Sequence, residues 1–167
     1  MRHATAAGRG DRTPPWDRAP HRRLGLGSTA PGTVSRCRAF TWEALVAWDW
    51  LPAVDEERQA AADDVVLVVS ELVANACRHA GGPTELALHR QAGAVRVEVA
   101  DPSPGRPVPR LAGRVGRPGG YGLRIVGVLA RHWGSLPTAT GKRVWAEVGT
   151  GTDGSGEERS VHPGAVS

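Results

Sequence analysis

Hydrophobic residues follow two different periods along this chain. From Val65 to Ala80 they recur at helical spacing, with Val65, Val68, Val69, Leu72, Val73 and Ala76 forming one broad apolar face. Asp63-Asp64 suit a helix start and Gly81-Gly82-Pro83 a stop. The aliphatic run Val65 to Val69 alone also fits a buried strand, but the pattern continues through Leu72, Ala74, Ala76 and Ala80, which predicts a helix. Upstream, Val34, Cys37, Phe40, Leu45 and Trp48 set a second helix, opened by Thr29-Ala30-Pro31-Gly32 and running to about Trp48. Pro52 to Ala62 reads as a polar connection or helix start, with Asp55-Glu56-Glu57 as a solvated helix N-terminus. Tyr121 to His132 restores helical spacing through Leu123, Val126, Val128 and Leu129.

Elsewhere the period is two. Thr84 to Arg90 and Ala94 to Asp101 predict a hairpin around Gln91-Ala92-Gly93. Val95, Val97 and Val99 alternate with Arg96 and Glu98, so Asp101 falls in phase with the buried valines. A carboxylate aimed inward there is costly unless a donor meets it. Two more strands follow, Gly134 to Thr138 and Lys142 to Val148, joined by Ala139-Thr140-Gly141, and Arg22 to Gly27 predicts a short edge strand. The order is strand, helix, helix, strand, strand, long loop, helix, strand, strand. This predicts an α+β protein, a two-layer α/β sandwich whose mostly antiparallel sheet is covered by helices on one face.

Composition narrows the frame. At 167 residues the chain suits one domain, placed at 21–149. Residues 1–20 and 150–167 are poor in aliphatic residues and are expected to be disordered tails. Much of the excess behind the net charge of +4 lies in the first of these, and a solvated tail is expected there rather than a nucleic-acid surface. No apolar run approaches the roughly 18 residues of a membrane span, and Met1-Arg2-His3 opens no secretory signal. Cys37 and Cys77 lack paired metal spacing and read as reduced, buried thiols, which favours the cytoplasm.

The candidate chemistry sits in three places. On the predicted central helix Glu71, Asn75 and His79 are successive i, i+4 neighbours on one stripe. Asn75 supplies a neutral oxygen that Mg²⁺ accepts among phosphates and waters, and Glu71 can orient a hydroxyl or water and take its proton. Gly119-Gly120-Tyr121-Gly122, at a helix start, offers backbone amides and a positive dipole end to phosphate oxygens. Asp101 can accept the exocyclic amine of adenine, which would settle its inward charge. Together these describe an ATP site. The loop Pro102 to Gly120 has the length of a lid or binding loop, and its Arg106, Arg110, Arg114 and Arg117 suit either phosphate neutralisation or a solvated surface. Lys142 has no preceding GxxxxG frame, so it is not a P-loop lysine, and Gly25 to Ala30 lacks the context of a dinucleotide loop.

At these residues the chain resembles the histidine kinase/Hsp90-like (GHKL) ATPases of the Bergerat fold. The matching stretches are Glu71-Leu72-Val73-Ala74-Asn75-Ala76 with Arg78-His79-Ala80, then Asp101-Pro102-Ser103-Pro104-Gly105, then Gly120-Tyr121-Gly122-Leu123. Trp133-Gly134 and Gly141 to Glu147 extend the resemblance towards short actinobacterial anti-sigma factor serine/threonine kinases, over roughly residues 22–148. The resemblance implies Glu71 as catalytic base, Mg²⁺ on Asn75, and ATP held by Asn75, Asp101, Gly105, Gly119, Gly120, Gly122 and Leu123. It further implies partner switching: phosphorylation of an anti-anti-sigma (STAS-type) protein, a sigma factor as the competing partner, and a homodimer. His79 reads as a structural neighbour. Ser103 departs from the family pattern, standing between two prolines where a glycine would allow positive φ and close approach of the base. Weakened ATP affinity is therefore expected, and a non-catalytic binding module of the same fold is the alternative.

Overall fold

The two periods resolve into eight elements in the computed structural model, which describes residues 19–27, 30–105 and 122–150. They are β1 (His21–Gly25), α1 (Thr33–Ala47), α2 (Glu56–His79), β2 (Glu85–Gln91), β3 (Ala94–Asp101), α3 (Gly122–Leu129), β4 (His132–Thr138) and β5 (Gly141–Gly149). The strands form one sheet in the order β1-β2-β3-β5-β4, and every neighbouring pair is antiparallel. One face carries Leu86, Leu88, Val95, Val97, Val99, Val144, Ala146 and Val148, which share a single core with Leu45, Val65, Val69, Leu72, Val73 and Val126 of the helices. Valine dominates because its branched side chain packs well on a pleated, buried surface. Burial of each such side chain contributes about 1.5–3 kcal/mol. The α+β sandwich expected from the pattern is the observed architecture.

The central helix begins earlier than Asp63-Asp64. Asp55 caps it, its Oδ1 accepting the Arg58 backbone N–H at 2.7 Å, and Glu56 and Glu57 occupy the first turn, where the helix dipole favours acids. Ala60, Ala61 and Ala62 are strong helix formers, and the last two are buried, so the cap signal at Asp55 outweighs the pair at 63–64. Asp63 instead stays on the solvent side, where its Oδ1 accepts from Gln59 Nε2. At the other end Arg78 and His79 suit the negative dipole end, and the Gly82 N–H returns to the Ala76 carbonyl through Gly81 at φ 73° and Gly82 at φ 107°. The third helix likewise stops before its expected end. His132 is the first residue of β4, opposite Glu147, and the Arg131 N–H already donates to the Glu147 carbonyl.

Behind the sheet, on the face without helices, the alternation holds a second buried set, of charges. Arg96 and Glu98 are only 2% and 3% exposed. Glu98 accepts from Arg96 Nε at 2.8 Å and from Arg143 at 3.2 Å, and Arg96 also bonds Glu147 at 2.9 Å while lying 4.0 Å over the Trp145 ring. Burial pushes the Glu98 carboxyl up, but bonds from His89 and Arg96, with their charges, outweigh it and hold it down at about 2. A depressed carboxyl contributes stability that is full above its ordinary value and is lost as pH falls through the folded value. Thermal melts should therefore weaken between about pH 4.5 and pH 2. Glu98→Gln should flatten that part of the profile while lowering stability at neutral pH by about 3 kcal/mol, because two arginines lose a buried partner. An unchanged acid limb in the variant would contradict the assignment.

Both cysteines are free. Cys37 is buried in the core and its thiol is pushed up to about 11, by burial first and by Cys77 second, so it is inert at neutral pH. No helix among the described residues is long and apolar enough to cross a membrane. Most of the expected tails and the four loop arginines lie outside the described residues. Where the chain is described at its margins it is tied to the sheet: the Pro20 carbonyl accepts from the Arg90 N–H, and the Thr150 N–H donates to Gly93.

Candidate functional site

Two short connections bring the candidate residues to one end of the sheet. The last turn of α2 closes at Gly82, and two residues later the Thr84 N–H donates to the Ala100 carbonyl at 2.8 Å, beside Asp101. The C-terminal turns of α2 and the C-terminal end of β3 therefore meet. The start of α3 arrives at the same place. A Cβ added at Gly122 would stand 2.6 Å from Glu71 Oε2 and 3.8 Å from an Arg78 guanidinium nitrogen. Glycine at 122 thus leaves room for the Glu71 carboxylate against the first turn of α3.

Along that stripe Glu71 and Asn75 are half-buried, while Arg78 and His79 are exposed. None of Glu71, Asn75 or Arg78 makes a hydrogen bond or ion pair with the described residues, although each carries strong polar groups. A carboxylate, a carboxamide and a guanidinium with unspent bonding capacity border a helix N-terminus, the end that favours anions. Arg78, part of the matching stretch but given no role from the sequence, is brought to the same place. It lies seven positions after Glu71, two turns along one helix face, and that spacing was the available signal.

Asp101 forms the second half of the site. Its side chain is 3% exposed, and its Oδ1 accepts from Lys142 Nζ at 2.8 Å and from the Ser103 N–H at 2.9 Å. Lys142 also donates to the Ser103 carbonyl at 3.2 Å. The inward charge is therefore already met within the protein, by Lys142 and the Ser103 N–H. Asp101 and Lys142 face each other in the register of β3 and β5. A signal for this existed as well, since Lys142 is in phase with the buried Val144, Ala146 and Val148. At Gly141 a Cβ would run into the Asp101 carbonyl oxygen and would lie 2.7 Å from Pro102 Cα, so only glycine lets the β4–β5 turn approach the end of β3 this closely.

Ser103 does not need the freedom of glycine here. Asp49 is the one non-glycine at positive φ among the described residues, and the Ser103 backbone uses both its N–H and its carbonyl to hold Asp101 and Lys142. Gly105 is exposed, and a Cβ there would meet Ser103 Oγ at an ordinary 3.6 Å. Leu123 is 6% exposed and belongs to the core, where it anchors the first turn of α3. Gly119 and Gly120 lie outside the described residues. A separate cavity of about 300 Å³, lined by Trp50, Arg58, Arg90 and the β2–β3 turn, occupies the opposite end of the sheet and contains none of these residues.

Residues 34–147 match the family model of the histidine kinase-like ATPase domain, and that span includes Glu71, Asn75, Asp101, Gly122 and Lys142. The chain belongs to this family. Membership makes ATP the expected ligand of this ATPase domain. Among solved structures it is similar to the RsbU and RsbW domains of Rv1364c from Mycobacterium tuberculosis, with a TM-score of 0.53 and 20% identity. The match covers 78% of this chain but 32% of that one, and at this identity the likeness is one of fold. No curated protein matches the chain.

Proposed function

We propose that this ATPase domain is a protein serine/threonine kinase, and that its target is an anti-anti-sigma (STAS-type) protein in a partner switch that controls a sigma factor. The observation that carries the reading is the Glu71 carboxylate, without a hydrogen bond or ion pair among the described residues and held against the first residue of α3 beside Arg78. In the proposed reaction the substrate hydroxyl oxygen attacks the γ-phosphorus of ATP, the bond to the β-phosphate oxygen breaks, ADP leaves, and the hydroxyl proton passes to Glu71. The amides of the α3 N-terminus and the Arg78 guanidinium would face the phosphate oxygens. Among the described residues no group of three or more His, Cys, Asp or Glu is placed to hold a metal ion. The Asn75 carboxamide, without a partner among the described residues, fits Mg²⁺ together with phosphates and water, since Mg²⁺ usually keeps several waters and few protein ligands. Bound there, Mg²⁺ would neutralise phosphate charge. Asp101 would hold the base.

Incubating the protein with Mg-ATP and a STAS-type protein encoded near it should yield phosphoserine or phosphothreonine on that partner. Partner binding without any phosphate transfer would favour the alternative, a non-catalytic regulatory module. One observation speaks for that alternative: Lys142 satisfies Asp101 without a nucleotide. Gly122→Ala separates folding from chemistry. The clash it creates is with the far end of a flexible side chain, so the fold should hold. Displacing Glu71 from α3 should nevertheless slow transfer about tenfold or more. Wild-type turnover in this variant would remove Glu71 from the mechanism.

A further inference from the structure

We infer that Lys142 is a base-reading residue: its ammonium donates to ring nitrogen N1 of adenine while Asp101 accepts from the neighbouring N6 amine. This rests on the ATP reading above and adds to it a residue that settles base selectivity. Lys142 has three N–H donors, of which Asp101 Oδ1 takes one and the Ser103 carbonyl another. The third has no partner among the described residues. Among the described residues Asp101 receives two donors on Oδ1 and none on Oδ2. An acceptor and a donor with capacity to spare thus stand side by side, in side chains only 3% and 11% exposed. Adenine offers the complement along one edge, a donor amine next to an acceptor ring nitrogen.

The choice of side chain supports the same reading. Lys142 is the only lysine in a chain that otherwise uses arginine for every strong positive charge. An arginine opposite Asp101 would present a planar fork and engage both carboxylate oxygens at once. A lysine is a point donor, and it leaves Oδ2 open. A buried ion pair is also a poor device for stability alone, because well-packed apolar residues in its place are often as stable or more so. Keeping both charges at the rim of a nucleotide site is accounted for if the charges themselves touch the ligand.

The test compares ATP with 1-deaza-ATP, in which N1 is replaced by a C–H group, by calorimetric titration of the unaltered protein. Loss of a hydrogen bond from a charged donor should weaken binding about tenfold or more. Lys142→Met should bind the two nucleotides within about twofold of each other, whereas a purely structural lysine would weaken both alike and keep their ratio. Lys142→Arg should keep the melting temperature near that of the unaltered protein and yet bind ATP at least about tenfold more weakly, since the fork closes Oδ2. Equal binding of ATP and 1-deaza-ATP by the unaltered protein overturns the role of Lys142 and leaves the ATP reading standing. Failure to bind ATP at all overturns the ATP reading itself. The nucleotide comparison needs no variant, so it decides the matter even where Lys142→Met does not fold.

Discussion

Glu71→Ala is expected to lower phosphoryl transfer to a protein serine or threonine by a factor on the order of 10² to 10⁴, the usual contribution of a positioned general base. Its Kd for ATP should stay within about threefold, because the carboxylate makes no bond that the folded domain needs and repels rather than attracts phosphate. Glu71 is fixed by α2, a 24-residue helix whose apolar face packs in the core, and its Oε2 lies against the first residue of α3. That rigid placement is what a base requires, since misplacement by about 1 Å can cost a hundredfold in rate. Asn75→Ala should behave differently, weakening Mg-ATP more than metal-free ATP. Measured on one protein substrate, the two variants separate proton transfer from metal holding. Activity that survives in Glu71→Ala/Asn75→Ala together would contradict the site.

Asp101→Ala is expected to be the most destabilising single change at the site. Removing the carboxylate leaves the Lys142 ammonium, 11% exposed, with the Ser103 carbonyl as its remaining partner. Breaking a buried pair in this way costs about 3–5 kcal/mol, which for a domain of this size lowers the melting temperature by about 10 °C or more. Lys142→Met should fall by a comparable amount because it strands the opposite charge. The double variant Asp101→Leu/Lys142→Met should recover much of the loss, since both charges go together. Thermal melts of the four proteins give the coupling directly, and additive losses would show that the pair is not coupled. The double variant should also have lost its ATP binding even where its melting temperature returns.

How much of this was legible in the sequence depended on whether a feature follows from one element or from two. The stripe of Glu71 and Asn75 follows from the period of a single helix, and the inward phase of Asp101 from the period of a single strand; both hold in the structure. The Asp101–Lys142 pair needs one fact more, that β5 rather than β4 lies against β3. Strand order is a tertiary outcome that alternation does not encode, although the phase of Lys142 already placed it on the buried face. The same reason hid the charge lattice, in which Arg96 meets Glu147 and Glu98 faces Trp145 across β3 and β5. The start of α2 stays open in the sequence for a local reason: Asp55-Glu56-Glu57 and Asp63-Asp64 both suit a helix start, and the Asp55 cap together with the burial of Ala61 and Ala62 decides for the earlier one. Gly122 reads in sequence as part of a glycine turn at a helix start, but its contact with the Glu71 carboxylate requires α2 and α3 to be docked.

In the proposed site Asp101 at one pole and Asn75 at the other hold a single Mg-ATP. Calorimetric titration of the protein with ATP, with and without Mg²⁺, tests it most directly. Saturable 1:1 binding is predicted, strengthened by Mg²⁺ in the unaltered protein but not in Asn75→Ala, and weakened about tenfold or more by Asp101→Asn. No binding at millimolar ATP, or binding indifferent to both substitutions, would rule this site out.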